Sequence, residues 1–89
     1  MPVMVKFTLA TDVATYQAMH ENLMPVARAA GLIFHSGREV EGGIGIVDFW
    51  ESAEAWQTFL DGPVTEGMSA AGLAAPDDVK VVPVLTADS

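Results

Sequence analysis

The feature that most constrains the fold is a short turn between two apolar runs in the middle of the chain. Residues 32–40 and 44–51 are both rich in residues typical of strands, and Glu41-Gly42-Gly43 joins them. Glycines supply the positive φ that a tight hairpin turn requires. The sequence therefore predicts a β-hairpin, and the other elements have to be arranged around it.

A strand and a helix precede this hairpin. Residues 3–9 alternate between apolar and more polar side chains, which is the period of a strand with one buried face. Apolar residues then recur at helical spacing, with Thr11 or Asp12 as the helix cap and Gly31 as its stop. Pro25 lies inside this predicted helix, so we expect a kink or a break into two pieces there.

A second helical region and a last strand follow the hairpin. Ser52 is a favourable N-cap for a helix that residues 61–63, Asp-Gly-Pro, interrupt. A second short helical piece is predicted over residues 63–71. Residues 79–85 form the last predicted strand, and Pro83 within it indicates a strand at the edge of the sheet.

The predicted order β-α-β-β-α-β is typical of a ferredoxin-like α+β fold, which we expect to form one domain over residues 1–89. In this fold the helices cover one face of an antiparallel sheet, and the second and last strands lie at its edges. Both faces of the third and last strands are apolar, however, and one helical layer cannot cover both. We therefore expect a second copy of the chain to cover the other face, which makes the protein a homodimer.

Composition excludes several classes of function. The chain has 89 residues and a net charge of −8, which repels nucleic-acid backbones and anionic membrane surfaces. It has no cysteine, so disulfides, thiolate catalysis and cysteine zinc sites are absent. The two histidines lie far apart without carboxylates at ligand spacing, so we expect no metal. Because residues 1–9 contain no basic leader and no apolar run is long enough to cross a bilayer, we expect a cytoplasmic protein.

Four short segments of the sequence together carry a resemblance to a known family. They are Gly31-Leu32-Ile33-Phe34-His35, Glu41-Gly42-Gly43, Val47-Asp48-Phe49-Trp50-Glu51-Ser52 and Glu54-Ala55-Trp56. These segments resemble the small actinobacterial proteins grouped with the antibiotic biosynthesis monooxygenases in the dimeric α+β barrel superfamily. The resemblance implies two subunits that form a dimeric α+β barrel, with a ligand cavity between sheet and helices in each. From the characterised monooxygenases it implies oxidation of aromatic polyketide-like substrates without metal or flavin.

The haem-degrading relatives resemble this chain less. They have an asparagine on the first strand and a histidine ligand late in the second helical region. Here Lys6 lies near the first position and Ser69 occupies the second. We therefore expect no haem, and no other cofactor.

The hairpin predicts a group of side chains that could carry chemistry. If the turn contains two residues, His35 lies opposite Asp48 or opposite Trp50, and in either register the three side chains share one face. A turn of three residues would separate them. His35 could take a proton from a phenolic or enolic substrate while Asp48 orients its ring, which makes these two the candidate catalytic residues. Arg38 has the parity of Leu32 in an unbroken strand, so it should face away.

Other apolar and aromatic residues are candidates for binding the substrate. They could line the cavity or simply fill the core, and plain packing is the commoner role of such residues. A buried Asp48 also needs a donor, which could be His35 or Lys6 and could be purely structural. The candidate substrate-binding residues are Trp50, His20, Tyr16, Phe59 and Met68.

Two functions remain open at this point. The first is a cofactor-independent monooxygenase-like or isomerase-like enzyme acting on a small aromatic or enolisable metabolite, which needs an open cavity beside His35. The second is a non-catalytic homodimer that binds a hydrophobic small molecule or serves as a scaffold. The sequence does not separate the two.

Overall fold

Four strands form one antiparallel sheet, and helices cover one of its faces. The computed structural model describes residues 1–88, without the side chain of Asp77. The strands lie in the order β2-β3-β1-β4, so the predicted ferredoxin-like topology and the two predicted edge strands are confirmed. The elements are β1 (Val3–Leu9), α1 (Val13–Ala30), β2 (Leu32–Val40), β3 (Gly43–Trp50), α2 (Ala53–Phe59), a π-helical segment (Leu60–Val64), α3 (Thr65–Ala70) and β4 (Asp77–Pro83).

The core lies between the sheet and the helices. Alternate side chains of β1 and β3 point into it, as the period of two predicts. The rings of Phe7 and Trp56 stack with centroids 5.4 Å apart. Trp50 is fully buried and contacts both Trp56 and Phe59, with ring centroids 5.8 and 4.9 Å apart. These aromatic rings fix how far α2 lies above the sheet.

Helix α1 runs through Pro25 as one element, so of the two predicted alternatives, a kink or a break into two pieces, the break is wrong. Asp12 caps it by accepting a hydrogen bond from the backbone N–H of Thr15. Proline removes the hydrogen bond to the carbonyl of Glu21, but both residues are exposed and water can solvate that carbonyl. Neither this helix nor any other in residues 1–88 is long and apolar enough to cross a membrane.

The chain stays helical from α2 to α3, where the sequence predicted an interruption. Leu60–Val64 widens into a π-helical turn instead, and α3 begins at Thr65 rather than at Pro63. Pro63 has no N–H to donate, so a wider turn is a way to continue the helix. The hydroxyl of Thr65 donates to the carbonyl of Leu60 at 2.7 Å and satisfies it.

Strand β4 lies at the edge beside β1, as Pro83 predicted, but it begins and ends two residues earlier than expected. The pairing with β1 shifts between Lys6 and Thr8, where β4 holds one extra residue. Asp78 has φ 54° within this irregular stretch, a conformation that aspartate tolerates better than most residues. The bulge extends the strand toward its N-terminal end, and alternation alone does not predict such a bulge.

Strand β2 also contains a bulge, which corrects one prediction. Leu32 pairs with Trp50, and Phe34 pairs with Phe49, so Ile33 is the extra residue. As a result Leu32 faces the core while Phe34 and Arg38 face the other side of the sheet. Arg38 does point away from the core, as expected, but it does not share the face of Leu32.

The outer face of the sheet carries apolar side chains that none of residues 1–88 covers. Phe34 and Val82 are 45% and 42% exposed, and Phe34 meets Phe49 edge to face. Met4 and Val47 lie beside them on β1 and β3 and are half-buried. The expected apolar outer face is therefore present.

Candidate active site

The hairpin register brings His35 and Asp48 together. Val40 pairs with Gly43, so the turn has two residues, and the same register sets His35 opposite Asp48. Nδ1 of His35 lies 2.6 Å from Oδ1 of Asp48. The sequence left two registers open, with His35 opposite Asp48 or opposite Trp50, and the structure has the first.

The conformation of Gly43 explains why the turn closes in this way. Its φ is 154°, and a Cβ at this position would overlap the carbonyl oxygen of Leu9 on the neighbouring strand. Only glycine therefore fits there without moving β1. The turn and the strand pairing together fix the position of His35.

Asp48 is a buried carboxylate that accepts two side-chain hydrogen bonds. It is 4% exposed, and its second oxygen accepts a hydrogen bond from the indole N–H of Trp50 at 3.3 Å. Lys6, the other predicted donor, is exposed on the outer face and makes no such contact. Among the described side chains, no buried nitrogen or oxygen lacks a hydrogen-bond partner. The cost of burying this carboxylate is offset in that way.

Tyr16 completes a chain of hydrogen bonds. Its hydroxyl lies 2.6 Å from Nε2 of His35. Because an ionised carboxylate only accepts, Nδ1 of His35 donates to Asp48, which leaves Nε2 of a neutral ring as an acceptor for the Tyr16 hydroxyl. The order is therefore Tyr16 to His35 to Asp48. From the sequence, Tyr16 was expected to line the cavity or to fill the core, so its hydrogen bond with His35 was not predicted.

Burial and charge act together on Tyr16. Partial burial raises the pKa of its phenol above the ordinary value of 10.0, and the negative charge of Asp48 raises this pKa further. At neutral pH the phenol therefore keeps its proton and acts as a hydrogen-bond donor.

His20 lies one turn after Tyr16 on α1 and adds a third ring to the group. Its ring centroid lies 5.8 Å from that of Tyr16 and 5.2 Å from that of His35. All three rings keep some solvent exposure, whereas Trp50 has none. The three rings therefore lie at the outer end of the site and the tryptophan at its inner end.

A small cavity of about 60 Å³ lies between the sheet and the helices. All seven predicted site residues line it. Ten further side chains line the cavity, among them Trp56, Leu32 and two methionines of α1. The seven predicted residues are His35, Asp48, Trp50, His20, Tyr16, Phe59 and Met68.

One sequence signal could have revealed the contact between Tyr16 and His35. Gly37 lies inside β2 on the same face as His35, and a glycine within a strand indicates a close approach by another group. A Cβ at Gly37 would overlap the Tyr16 hydroxyl and lie 2.7 Å from its Cζ.

Among the described side chains, no group of three His, Asp or Glu residues is arranged to hold a metal ion.

Comparison with solved structures shows the fold. The described chain superposes on a Chloroflexus aurantiacus protein provisionally named an antibiotic biosynthesis monooxygenase, with 19% identity, TM-score 0.55 and coverage of 97% of this chain and 94% of that one. SnoaB of Streptomyces nogalater, a cofactor-independent oxygenase, gives 11% identity, TM-score 0.62 and coverage of 97% and 93%. The chain therefore shares the fold of these two proteins. The expected ferredoxin-like α+β fold is confirmed, and the resemblance to the antibiotic biosynthesis monooxygenases is confirmed at the level of the fold.

Neither a family model nor a curated protein matches the sequence. A third solved structure of the same fold is a mutant of MhuD with two manganese protoporphyrin IX molecules in each active site. It has 17% identity, TM-score 0.52 and coverage of 100% of this chain and 99% of that one.

The residues of this chain do not fit a haem. Cofactor sites usually have volumes of roughly 300 to 1,000 Å³, and the cavity here is about 60 Å³. Both ring nitrogens of His35 are also already in hydrogen bonds. The fold is shared with a porphyrin-binding protein, but the cavity of this chain is far smaller than a usual cofactor site and the imidazole of His35 is already hydrogen-bonded at both nitrogens.

Proposed function

We propose that this chain is a cofactor-free monooxygenase-like or isomerase-like enzyme that removes a proton from a small aromatic or enolisable molecule. His35 is the general base, and Asp48 orients its ring and balances the charge of the imidazolium. The observation that carries the proposal is the chain of hydrogen bonds from Tyr16 through His35 to Asp48 beside an apolar cavity.

The surroundings of the base support this role. A proton-accepting ring at the edge of an apolar cavity is partly shielded from water, which strengthens its interaction with the buried carboxylate. His35 is 13% exposed at its side chain, so it is shielded yet reachable. Trp50, Phe59 and Met68 form an apolar wall against which the substrate lies, and His20 closes the outer end.

The enolate formed by proton removal has two possible fates. In the oxygenase reaction it reacts with dioxygen: a CH₂ group becomes a carbonyl with one oxygen atom, and the other oxygen atom leaves as water with the two hydrogens. In the isomerase reaction the proton returns to a different carbon, and no oxidant is consumed. The fold shared with SnoaB favours the first fate by analogy alone.

The size of the cavity restricts the substrate. An engineered apolar cavity of about 150 Å³ binds benzene, whereas the cavity here is about 60 Å³. A ring-sized ligand therefore enters only when lining side chains move. Met19, Met24 and Met68 all line the cavity, and flexible thioethers can move at low cost.

We further propose that the protein works as a homodimer through the outer face of its sheet. Phe34 and Val82 lie exposed there among other apolar side chains, and a second copy with the same face would bury them. Sheet-on-sheet stacking leaves the two cavities on opposite outer sides of the dimer, because each lies under its own helices.

The small volume also favours a second candidate, a non-catalytic homodimer that binds a hydrophobic molecule or serves as a scaffold. In that case the hydrogen bonds of Asp48 would serve only to stabilise the core. The enzyme and the binding protein differ in whether a bound molecule exchanges its protons with the protein.

Deuterium exchange tests the two candidates. The α-protons of phenylacetone, a small enolisable ketone, are followed by NMR in D₂O buffer with the wild-type protein and with the His35→Gln variant. We expect exchange with the wild type and a loss of at least about 100-fold in the variant, the usual contribution of a general base. Uptake of oxygen would then separate the oxygenase from the isomerase.

The matched control is Ser36→Ala, which changes the next residue of β2 on the outer face and should leave the exchange rate unchanged. Equal rates in the wild type and His35→Gln would refute the role of His35. No exchange, combined with shifts of the histidine signals on adding phenylacetone, would favour the binding protein.

A further inference from the structure

Tyr16 blocks the nitrogen through which His35 would act, and this inference rests on the proposed function. Nδ1 of His35 is bound to Asp48, so Nε2 is the nitrogen left to take a proton. The hydroxyl of Tyr16 already lies 2.6 Å from Nε2. A substrate proton can reach the ring only if Tyr16 leaves or if Tyr16 passes the proton on.

Strand β2 leaves space for the phenol of Tyr16 at Gly37. Gly37 has no unusual backbone conformation that would require a glycine. What it provides is space, because a Cβ there would overlap the Tyr16 hydroxyl and lie 2.7 Å from Cζ. Glycine inside a strand weakens that strand. Gly37 therefore makes β2 less stable, and the space it leaves for the phenol of Tyr16 explains why a glycine lies there.

The helix holds Tyr16 from the other side. The backbone N–H of Tyr16 bonds the carbonyl of Asp12 at 3.0 Å, in the capped first turns of α1. The phenol is thus held between a helix and a strand, and its ring lies within 21° of the plane of His35. This arrangement favours a tyrosine that stays in place over one that leaves.

We propose that Tyr16 is a catalytic residue that touches the substrate, and that Gly37 is a positioning residue that makes room for it. The oxygen of Tyr16 takes the substrate proton while its own proton passes to Nε2 of His35, and Asp48 balances the imidazolium. The enolate remains beside a neutral Tyr16 hydroxyl, to which it is hydrogen-bonded. The reverse transfer returns the proton and restores the starting state.

The electrostatics require the two transfers to be coupled. Burial and the charge of Asp48 raise the pKa of Tyr16, so a free phenolate is disfavoured in this position. Tyr16 can accept a proton only as it gives up its own. The substrate class that suits such a relay is one with an acidic C–H or O–H group next to a carbonyl or an aromatic ring, because its anion can keep the hydrogen bond to the hydroxyl.

Three variants test the relay in the same phenylacetone exchange assay. Tyr16→Phe keeps the ring and removes the hydroxyl, and we expect the exchange rate to fall by at least about 100-fold. Gly37→Ala keeps every group of the relay but displaces the phenol, and we expect a smaller loss, of at least about 10-fold. Gly62→Ala is the matched control, since a Cβ at Gly62 meets no atom within 4 Å, and it should retain the wild-type rate.

A spectroscopic readout separates positioning from a general loss of structure. Tyr16 is the only tyrosine of the chain, so its ionisation can be followed by ultraviolet absorbance without ambiguity. In Gly37→Ala the displaced phenol should titrate closer to the ordinary pKa of tyrosine, while circular dichroism stays that of the wild type. An unchanged Tyr16 titration in Gly37→Ala would overturn the role of Gly37.

The outcomes distinguish the two proposals. If His35→Gln abolishes exchange while Tyr16→Phe keeps or raises it, His35 acts directly and the relay is wrong, but the proposed function stands. If His35→Gln has no effect, the proposed function is wrong and the relay falls with it. If Tyr16→Phe does not fold, the loss in Gly37→Ala relative to Gly62→Ala decides the question, because full activity there overturns the relay.

Discussion

The two faces of the sheet carry similar apolar strands but differ in what lies against them. On the inner face, helices cover the strands, and a carboxylate is buried there together with the groups that satisfy it. On the outer face, Phe34 and Val82 remain exposed beside the charged residues Lys6 and Lys80. The inner face is thus packed and hydrogen-bonded within one chain, while the outer face leaves apolar side chains exposed, which the proposed second copy would bury.

The largest effect is expected from breaking the polar group on the inner face. Asp48→Ala leaves the donors of His35 and Trp50 without their acceptor in a buried place. We expect the free energy of unfolding to fall by about 2 to 5 kcal/mol, measured by urea denaturation. Asp48→Asn is the control, because the amide keeps an acceptor oxygen and should lose less. Equal stability of Asp48→Ala and the wild type would mean that the hydrogen bonds add nothing to the core.

The next effect is expected on the outer face. Val82→Asp places a charge in the proposed interface between two copies, and we expect the dissociation constant of the dimer to rise by about 100-fold or more, measured by analytical ultracentrifugation. Val26→Asp is the control, since Val26 is 45% exposed on α1 and Val82 is 42% exposed. A dimer that survives Val82→Asp but not Val26→Asp would move the interface to the helical side.

The smallest effect concerns pH. The pKa of Tyr16 is raised in the folded protein, so its contribution to stability is complete below the ordinary pKa of 10.0 and is lost as the pH rises through the folded value. We expect the free energy of unfolding to fall in this alkaline range. Tyr16→Phe should lack this part of the fall, and Asp48→Asn should reduce it, because removing the charge lowers the pKa of Tyr16. A Tyr16→Phe curve parallel to that of the wild type would contradict this.

Local pattern was enough for most of the fold. The alternation of residues 3–9, the glycines of the turn and the cap at Asp12 each depend on neighbours in sequence, and each prediction is confirmed. The errors arose where a proline or a bulge is accommodated in a way that the local pattern does not show. Pro25 is tolerated because the carbonyl that loses its hydrogen bond is exposed to water, and the region around Pro63 stays helical through a wider π-helical turn. The bulge in β4 moves the ends of that strand, and the bulge in β2 changes which face its residues point to. The periodicity of the apolar residues indicates neither bulge.

The candidate site also contains one contact that the sequence predicts and one that it does not. The pair of His35 and Asp48 could be predicted because a two-residue turn sets cross-strand partners by counting. Gly37 indicates that some group approaches β2 closely, but the sequence does not identify this group as Tyr16. The contact of Tyr16 with His35 joins a helix to a strand 19 residues away and depends on how far the helix lies above the sheet.

Local spacing and backbone preference set the order of the elements, the hairpin, the apolar faces and the residue types available for proton transfer, so the chain alone predicts them. The donors that meet Asp48, the space that Gly37 leaves for Tyr16 and the small volume of the cavity are visible only in the folded protein. The physical reason is that these contacts depend on the packing of helices against the sheet. A shift of about one ångström there makes or breaks a hydrogen bond without changing any local pattern.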